Sequence, residues 1–559
     1  MATIGNLAAA VPRAGIAGAS WTFVKRWQHY WSAPGGRIAV AVLRIAIGAS
    51  LLWSIARIAG HATVSRSALY YPHGIWLAFP GRPSAALVAA LVPIAWLSTL
   101  AFTAGLLTRV AHAVSLIATL ALASFEVSGM PTWTHQNVPP LLASLAFLGA
   151  RGGDALSLDA LVRRWRRLPP LDVPGAYGWT LRLVQLAVAS VFFVAACCKL
   201  ASGGLGLSWA LSDNLRHQLL MRFDWIHLPR TWAADWIVAE PWRYETFALL
   251  HLAAQLSPIA AALAMHRPVV RAALGLVWIG EVVALGVVMA LWDTHWLPLA
   301  AAFIDWDRLV RPARLDSSDG ETATAGRMPR ARSAFLAGFL AFYAAQAFGL
   351  NQRLNLYPFS SYPMFAEVRA RWPYDQHQSY ELIGGRIELV AQHPLAPIEQ
   401  RWIDRRIVYR WMWQERNPDA VRKKLQGVLD ETRRRFPAAG ISAARLWLVV
   451  DRAPAYPAAA RLDRFDLAIL GELDTAGSFR TALGQLDGRR VTCAPRGLDL
   501  GGAALIAYRN DQPDALPVAA TRDATGFLLA QPVADDPAYL VAFAGGRPWL
   551  VAQRSSRGF

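Results

Sequence analysis

"LRLVQLAVASVFFVAACCKLA", residues 181–201, reads as a helix that crosses a membrane, and that reading decides the fold. A run of about 20 apolar residues, rising 1.5 Å each, matches a hydrocarbon core roughly 30 Å thick. Near its end stands Lys199, one of four lysines in the chain with Lys25, Lys423 and Lys424. Every other basic side chain except histidine is arginine.

Similar runs lie on both sides, at 38–58, 85–106, 110–127, 136–150, 246–265, 270–291, 294–306 and 333–350. The runs at 136–150 and 294–306 are short for a bilayer, and could be tilted, re-entrant or buried. "SGMPTWTHQNVPP", 128–140, breaks the chain between two of the runs with prolines and polar residues. More than half of all residues are apolar. The expectation is a mostly α protein: a polytopic transmembrane bundle of eight to nine spans, then a mixed α/β soluble domain.

The net charge is +18. Arginines gather between apolar runs, where they set orientation and meet anionic lipid head groups. Nucleic-acid binding is not expected, because stacking and groove-reading motifs are missing. Segment 151–182 holds Arg151, Arg163, Arg164, Arg166, Arg167 and Arg182; segment 308–332 holds Arg308, Arg311, Arg314, Arg327, Arg330 and Arg332. Both should be cytoplasmic. Nine crossings from a cytoplasmic N-terminus put them there and export the C-terminal region; losing the short crossing at 294–306 reverses its side. The first long run is read as a retained span rather than a signal peptide. The alanine- and arginine-rich, lysine-poor composition suggests a GC-rich bacterial genome, and the spans then place the protein in a bacterial inner membrane.

Four parts are expected: a bundle over 1–310, a basic cytoplasmic linker over 311–332, a last transmembrane helix over 333–350, and an extracytoplasmic mixed α/β domain over 351–559. In that domain "SYELIGGRIELVAQ" reads as a hairpin and 397–436 as charged helices. "ARLWLVV", "FDLAIL" and "AALIAY" read as strands. Cys197, Cys198 and Cys493 give no disulfide framework and no metal spacing. No P-loop, paired-histidine zinc helix or nucleophile elbow is present, and "GGLGLS" lacks the setting of a dinucleotide fingerprint. No metal or nucleotide cofactor is expected.

Ionisable groups inside apolar runs carry what chemistry there is. Gln185, Phe192 and Lys199 are spaced by sevens and share a helix face, with Ala195 and Ala196 beside the lysine. A buried amine of this kind could act as a base, whereas an interfacial one would only anchor the helix. His135, in "MPTWTHQN", could bond an anionic intermediate or satisfy backbone at a broken helix. Glu126 and Glu281 are expected to pair with arginines inside the bundle, Arg44 among them. Trp209 reads as an interfacial aromatic.

In order, "RIAVAVLRIAIGASLLW" (37–53), "LAFTAGLLTRVAHAVSLI" (100–117), "GDALSLDALVRR" (153–164) and "LVQLAVASVFFVAACCKL…SWAL" (183–211) resemble the HTTM family, membrane domains similar to vitamin K-dependent gamma-carboxylase. The resemblance covers about residues 30–310, and "YPFSSYPMFAE", 357–367, looks like the segment that follows the last span in many such proteins. In the carboxylase, the lysine base of a "KKL" motif deprotonates reduced vitamin K; oxygen converts the quinol to an epoxide, and glutamate is carboxylated. By that resemblance Lys199 matches the base, His135 a histidine that supports the chemistry, and Asp159 the aspartate of "SLD", with a structural role. It implies a reduced quinone as cosubstrate, membrane lipid as partner and a protein as possible substrate. Departures are Cys198 for the first lysine of the motif, Trp133 and Thr134 for two asparagines, and Glu281 where the family has a histidine. The expectation is a quinol-dependent carboxylase or oxygenase, with a non-catalytic lipid- or partner-binding protein that displays its C-terminal domain as the alternative.

Overall fold

The computed structural model describes residues 30–554 except 32–34, 63–71, 80, 129–134, 170, 172–176, 203–205, 226–227, 265–266, 311–329, 348–356, 359–379, 394–416, 455, 494, 502, 510–511, 524–525 and 533–537. Most of the linker, most of "YPFSSYPMFAE" and the first part of 397–436 lie outside the described residues.

Helices α1 (Arg37–Ala62), α2 (Ala85–Ala104) and α3 (Thr108–Ser128) come first, then the short α4 (Val138–Ala146) and α5 (Leu158–Trp165). The long α6 (Gly178–Ser202) leads to α7 (Asn214–Trp225) and α8 (Trp232–Val238). They are followed by α9 (Pro241–Leu263), α10 (Pro268–Met289), a 3-10 helix over Thr294–Phe303, α11 (Trp306–Val310) and α12 (Arg330–Ala347). Six of these, α1, α2, α3, α6, α9 and α10, are long and apolar enough to cross a membrane. The chain is thus a multi-pass membrane protein by its helices. The expected eight to nine spans are not reached on length and apolarity among the described residues. At nine residues, α4 covers about 14 Å; the ten-residue 3-10 helix covers about 20 Å.

Contacts between helix ends order the bundle. At one end, here end A, the Gly36 amide donates to Asp307 at 3.1 Å, and Arg44 donates to the Gly152 carbonyl at 2.6 Å and to the Leu156 carbonyl. Asp159 accepts from the Leu107 and Thr108 amides at 2.9 Å. Tyr30 bonds the Ala262 carbonyl at 3.3 Å, and Arg271 bonds that of Phe303 at 3.0 Å. At the other end, end B, Arg57 meets Asp293 at 3.4 Å and also Gln136. The Gln136 carbonyl accepts from His295 at 2.6 Å and Trp296 at 2.7 Å. Arg222 bonds the Met289 carbonyl at 3.2 Å. From Gly36 to Arg57, α1 rises about 31 Å. The 3-10 helix and its flanks run beside α1 from Arg57 back to Gly36, and α4 with its following loop runs from Arg57 back to Arg44. Two short elements therefore travel most of the depth that α1 travels.

Glycines permit two of these approaches. A β-carbon on Gly36 would overlap the Asp307 carboxylate. Gly105, at φ 72°, ends α2 in the left-handed region, and a β-carbon there would press on Ser157 and the Arg44 guanidinium.

Beyond the bundle, β1 (Tyr380–Ala391) is followed by α13 (Pro418–Arg435), β2 (Ile441–Ala453), β3 (Asp463–Asp474), β4 (Phe479–Arg480), β5 (Gly484–Asp487), β6 (Arg490–Cys493), β7 (Leu505–Arg509), β8 (Gln512–Val518), β9 (Ala520–Asp523), β10 (Gly526–Leu529), β11 (Ala538–Ala544) and β12 (Arg547–Arg554). One sheet runs β1-β2-β3-β12-β11-β7-β8 with β4 on β3, and a smaller one runs β5-β6-β10-β9. Alternation along β2 separates its faces. Leu446, Leu448 and Val450 pack with Val421, Leu425, Val428 and Leu429 of α13. Trp447 turns to a second core with Val491 and Phe527 of the smaller sheet. Where a hairpin is expected over 379–392, Tyr380–Ala391 is one continuous strand instead. Gly384 and Gly385 pair with Val449 and Leu448, so a full-length partner strand overrides the local turn signal.

This domain docks on end B. Arg216 of α7 donates to the carbonyls of Pro454 and Ala458, the latter at 2.9 Å. Asp213 accepts from the Tyr456 amide at 3.0 Å and from the Tyr244 hydroxyl at 2.5 Å. Leu220 and Met221 pack on Ala453.

Candidate functional site

Lys199 is three residues from the end of α6 and has no solvent exposure. Its Nζ donates to Gln255 Oε1 at 3.2 Å and lies 5.4 Å from the Trp209 ring centroid. Trp209 in turn is 5.8 Å from the His251 ring, and His251 Nδ1 pairs with Glu281. Three helices and one turn supply these groups. His251 and Gln255 are one turn apart on α9, where Ala248 and Leu252 extend the same inward face. Glu281 follows the buried Trp278 by three residues on α10.

The Gln185, Phe192, Lys199 stripe faces inward along its length. Gln185 donates to the Ala302 carbonyl at 2.6 Å, and Phe192 meets Trp278 and Trp296 edge-on at 5.3 and 5.4 Å. The outward, snorkelling placement of Lys199 is not what the bundle builds. Nor is Trp209 an interfacial aromatic, since it is 1% exposed.

His135 is buried at the start of the turn before α4, and its carbonyl accepts from Val138 at 3.0 Å. Burial pushes its imidazole down to about 4, so the ring is neutral near pH 7. Its neighbours form a second network. Asn137 donates to Glu126 at 2.8 Å; Gln136 joins Arg57, His295 and Trp296. Burial pushes Asp293 up to about 6, against the pull of Arg57 and Arg222. His135 and Lys199 thus occupy the same end of the bundle but separate hydrogen-bond networks among the described contacts. Phe192, two turns before Lys199 on α6, meets Trp296, a member of the second network.

The expected glutamate–arginine pairs are not the contacts found. Glu281 takes His251 and Glu126 takes Asn137. Arg44 serves loop carbonyls at end A because its position near the start of α1 leaves it far from both carboxylates. Asp159 is structural, tying the α2–α3 turn to α5.

Sequence reasoning did not find His251, Gln255, Arg57, Asp293 or His295. "HLAAQ", 251–255, was a visible signal: two polar residues one turn apart inside an apolar run. Helix α7 carried a misleading one. "NLRHQLLMRFDW" looks like a solvated helix, yet Asn214, Arg216, His217 and Gln218 are each 1% exposed. Both ends of the Gln218 amide and the Trp278 indole nitrogen are buried without a hydrogen-bond partner. Such groups are costly unless something polar meets them. Against models of known families, curated proteins and solved structures, the chain finds no match.

Proposed function

We propose that this protein is an enzyme of the bacterial inner membrane that acts on a lipid-soluble reduced quinone at end B, with Lys199 as general base. It stands with the HTTM-type proteins that its bundle resembles in sequence. The observation that carries the reading is a lysine with no exposure, near the end of an apolar helix, whose amine meets an amide and an indole face, the indole in turn lying beside a histidine–carboxylate pair. Ionisable groups at such positions are retained for function more often than for stability. The donor set suits a hydroxylated ring: Trp209 offers a flat face and Gln255 a hydrogen bond. Lys199 takes the proton of a quinol hydroxyl, and the neutral His135 supports developing negative charge. Dioxygen would be the oxidant, leaving as quinone epoxide and water while carbon dioxide supplies the carboxyl group added to a protein glutamate, or as water and an oxygenated second substrate with the quinol oxidised to quinone.

Purified protein given reduced quinone and oxygen should form epoxide, and Lys199→Ala should abolish it. Turnover that survives the substitution removes the base assignment. Absence of epoxide with every reduced quinone supplied favours the lipid- or partner-binding alternative.

The topology belongs to the same proposal. In this reading nine segments cross: the six long apolar helices α1, α2, α3, α6, α9 and α10, together with α4 and its loop, the 3-10 helix with its flanks, and α12. The arginines of 151–182 and the start of 308–332 are at end A, which the charge rule makes cytoplasmic. The C-terminal domain then faces the outside. A tag after Phe559 should be cleaved by protease added to spheroplasts; protection would reverse the orientation.

A further inference from the structure

Helix α5 leaves an apolar face uncovered. Leu158, Leu161, Val162 and Trp165 recur at i, i+3, i+4 and i+7, so they share one side. They are 41, 60, 40 and 81% exposed, and none of the eight helix residues is buried. Arg164, Arg166 and Arg167 are exposed beside this face or opposite it. An uncovered apolar face of this kind marks an interaction site.

Its depth is fixed independently. Asp159 accepts from the Leu107 and Thr108 amides and from the Thr108 hydroxyl at 2.7 Å, while its own amide donates to the Gly105 carbonyl at 2.9 Å. The helix is therefore pinned where α2 ends and α3 begins. Leu106, Leu107 and Val110, at 44, 68 and 64% exposure, carry the apolar surface from α5 onto the flanks of these two candidate spans. The face is continuous with the surface that acyl chains would cover.

We propose that α5 is an in-plane membrane helix that docks on anionic phospholipid at end A. Leu158, Leu161, Val162 and Trp165 sit among the upper acyl chains, and Arg164, Arg166 and Arg167 take the lipid phosphates. The proposal rests on the membrane reading above. Continuity with the span surface and the local positive charge favour a lipid surface over a protein partner.

The test uses the full chain with Cys197, Cys198 and Cys493 replaced by alanine, in vesicles of phosphatidylcholine and phosphatidylglycerol. An environment-sensitive fluorophore is attached through Leu161→Cys, through Leu97→Cys on the exposed side of α2, or through Asp487→Cys in a water-facing turn of the C-terminal domain. The label at 161 should be quenched by lipid with a nitroxide near its head group, and several-fold less than the label at 487 by aqueous iodide. Iodide quenching equal to that at 487 overturns the proposal, as does protection from both quenchers, which would mean a protein cover. A label at 97 that no lipid quencher reaches overturns the membrane reading as well. Changing Arg164, Arg166 and Arg167 to glutamine should remove the several-fold enrichment of phosphatidylglycerol over phosphatidylcholine in co-purified lipid. Unchanged enrichment overturns the phosphate role.

Discussion

An ammonium group buried within an apolar helix, even in its last turn, is costly away from water. Lys199 therefore stood out in the sequence by chemistry alone, and its rarity sharpened the signal. Its partners did not, because Gln255, His251 and Glu281 come from helices more than fifty residues away. His135 carries the clearest test at this scale. Its folded imidazole titrates near 4, below the ordinary value of 6.5, because burial disfavours the charged ring. The stabilising contribution is then full above pH 6.5 and is lost as pH falls through about 4. Thermal melts of the purified protein should fall in midpoint across that window, and His135→Gln should flatten the fall. An unchanged slope would show that the ring is open to water in solution.

Among elements, hydropathy located the six long helices well, since length and apolarity are local properties. It could not place α4 or the 3-10 helix, whose routes are set by Arg57, Asp293, Gln136 and Asp307. Asp159 shows how little is needed to fix an element: one carboxylate holds two amides and a hydroxyl. Hydrogen bonds to a charged group are worth about 1.5–3 kcal/mol each, less where water competes. Asp159→Ala should lower stability by about 2 kcal/mol and raise amide exchange in the α2–α3 turn; unaltered exchange would mean the turn holds itself. Gly36→Ala should also destabilise, since the new methyl meets Asp307. Asp307→Ala in the same chain should recover part of the loss, which a purely backbone effect would not allow.

For the whole molecule, the contact that matters is the one between the bundle and the sheet domain. Arg216 is 1% exposed and donates to two carbonyls of the other domain. Removing it leaves those carbonyls unpaired in a buried seam, at a cost of about 1–3 kcal/mol each. Arg216→Ala should let protease cut around 454–459 at least several-fold faster while the thermal transition of the sheet domain stays put. Equal cleavage rates would mean the docking depends on the Leu220, Met221 and Ala453 contact instead.

By itself the sequence determined that this chain is a mostly helical, multi-pass membrane protein with a polar domain behind it. Burial in lipid requires long apolar runs, and such runs are read one segment at a time. The tertiary structure alone decided which polar groups face one another, that a helix as polar as α7 is buried, and that two short elements travel most of the bundle's depth. Those outcomes depend on pairings between residues far apart in the chain, and no local pattern encodes them.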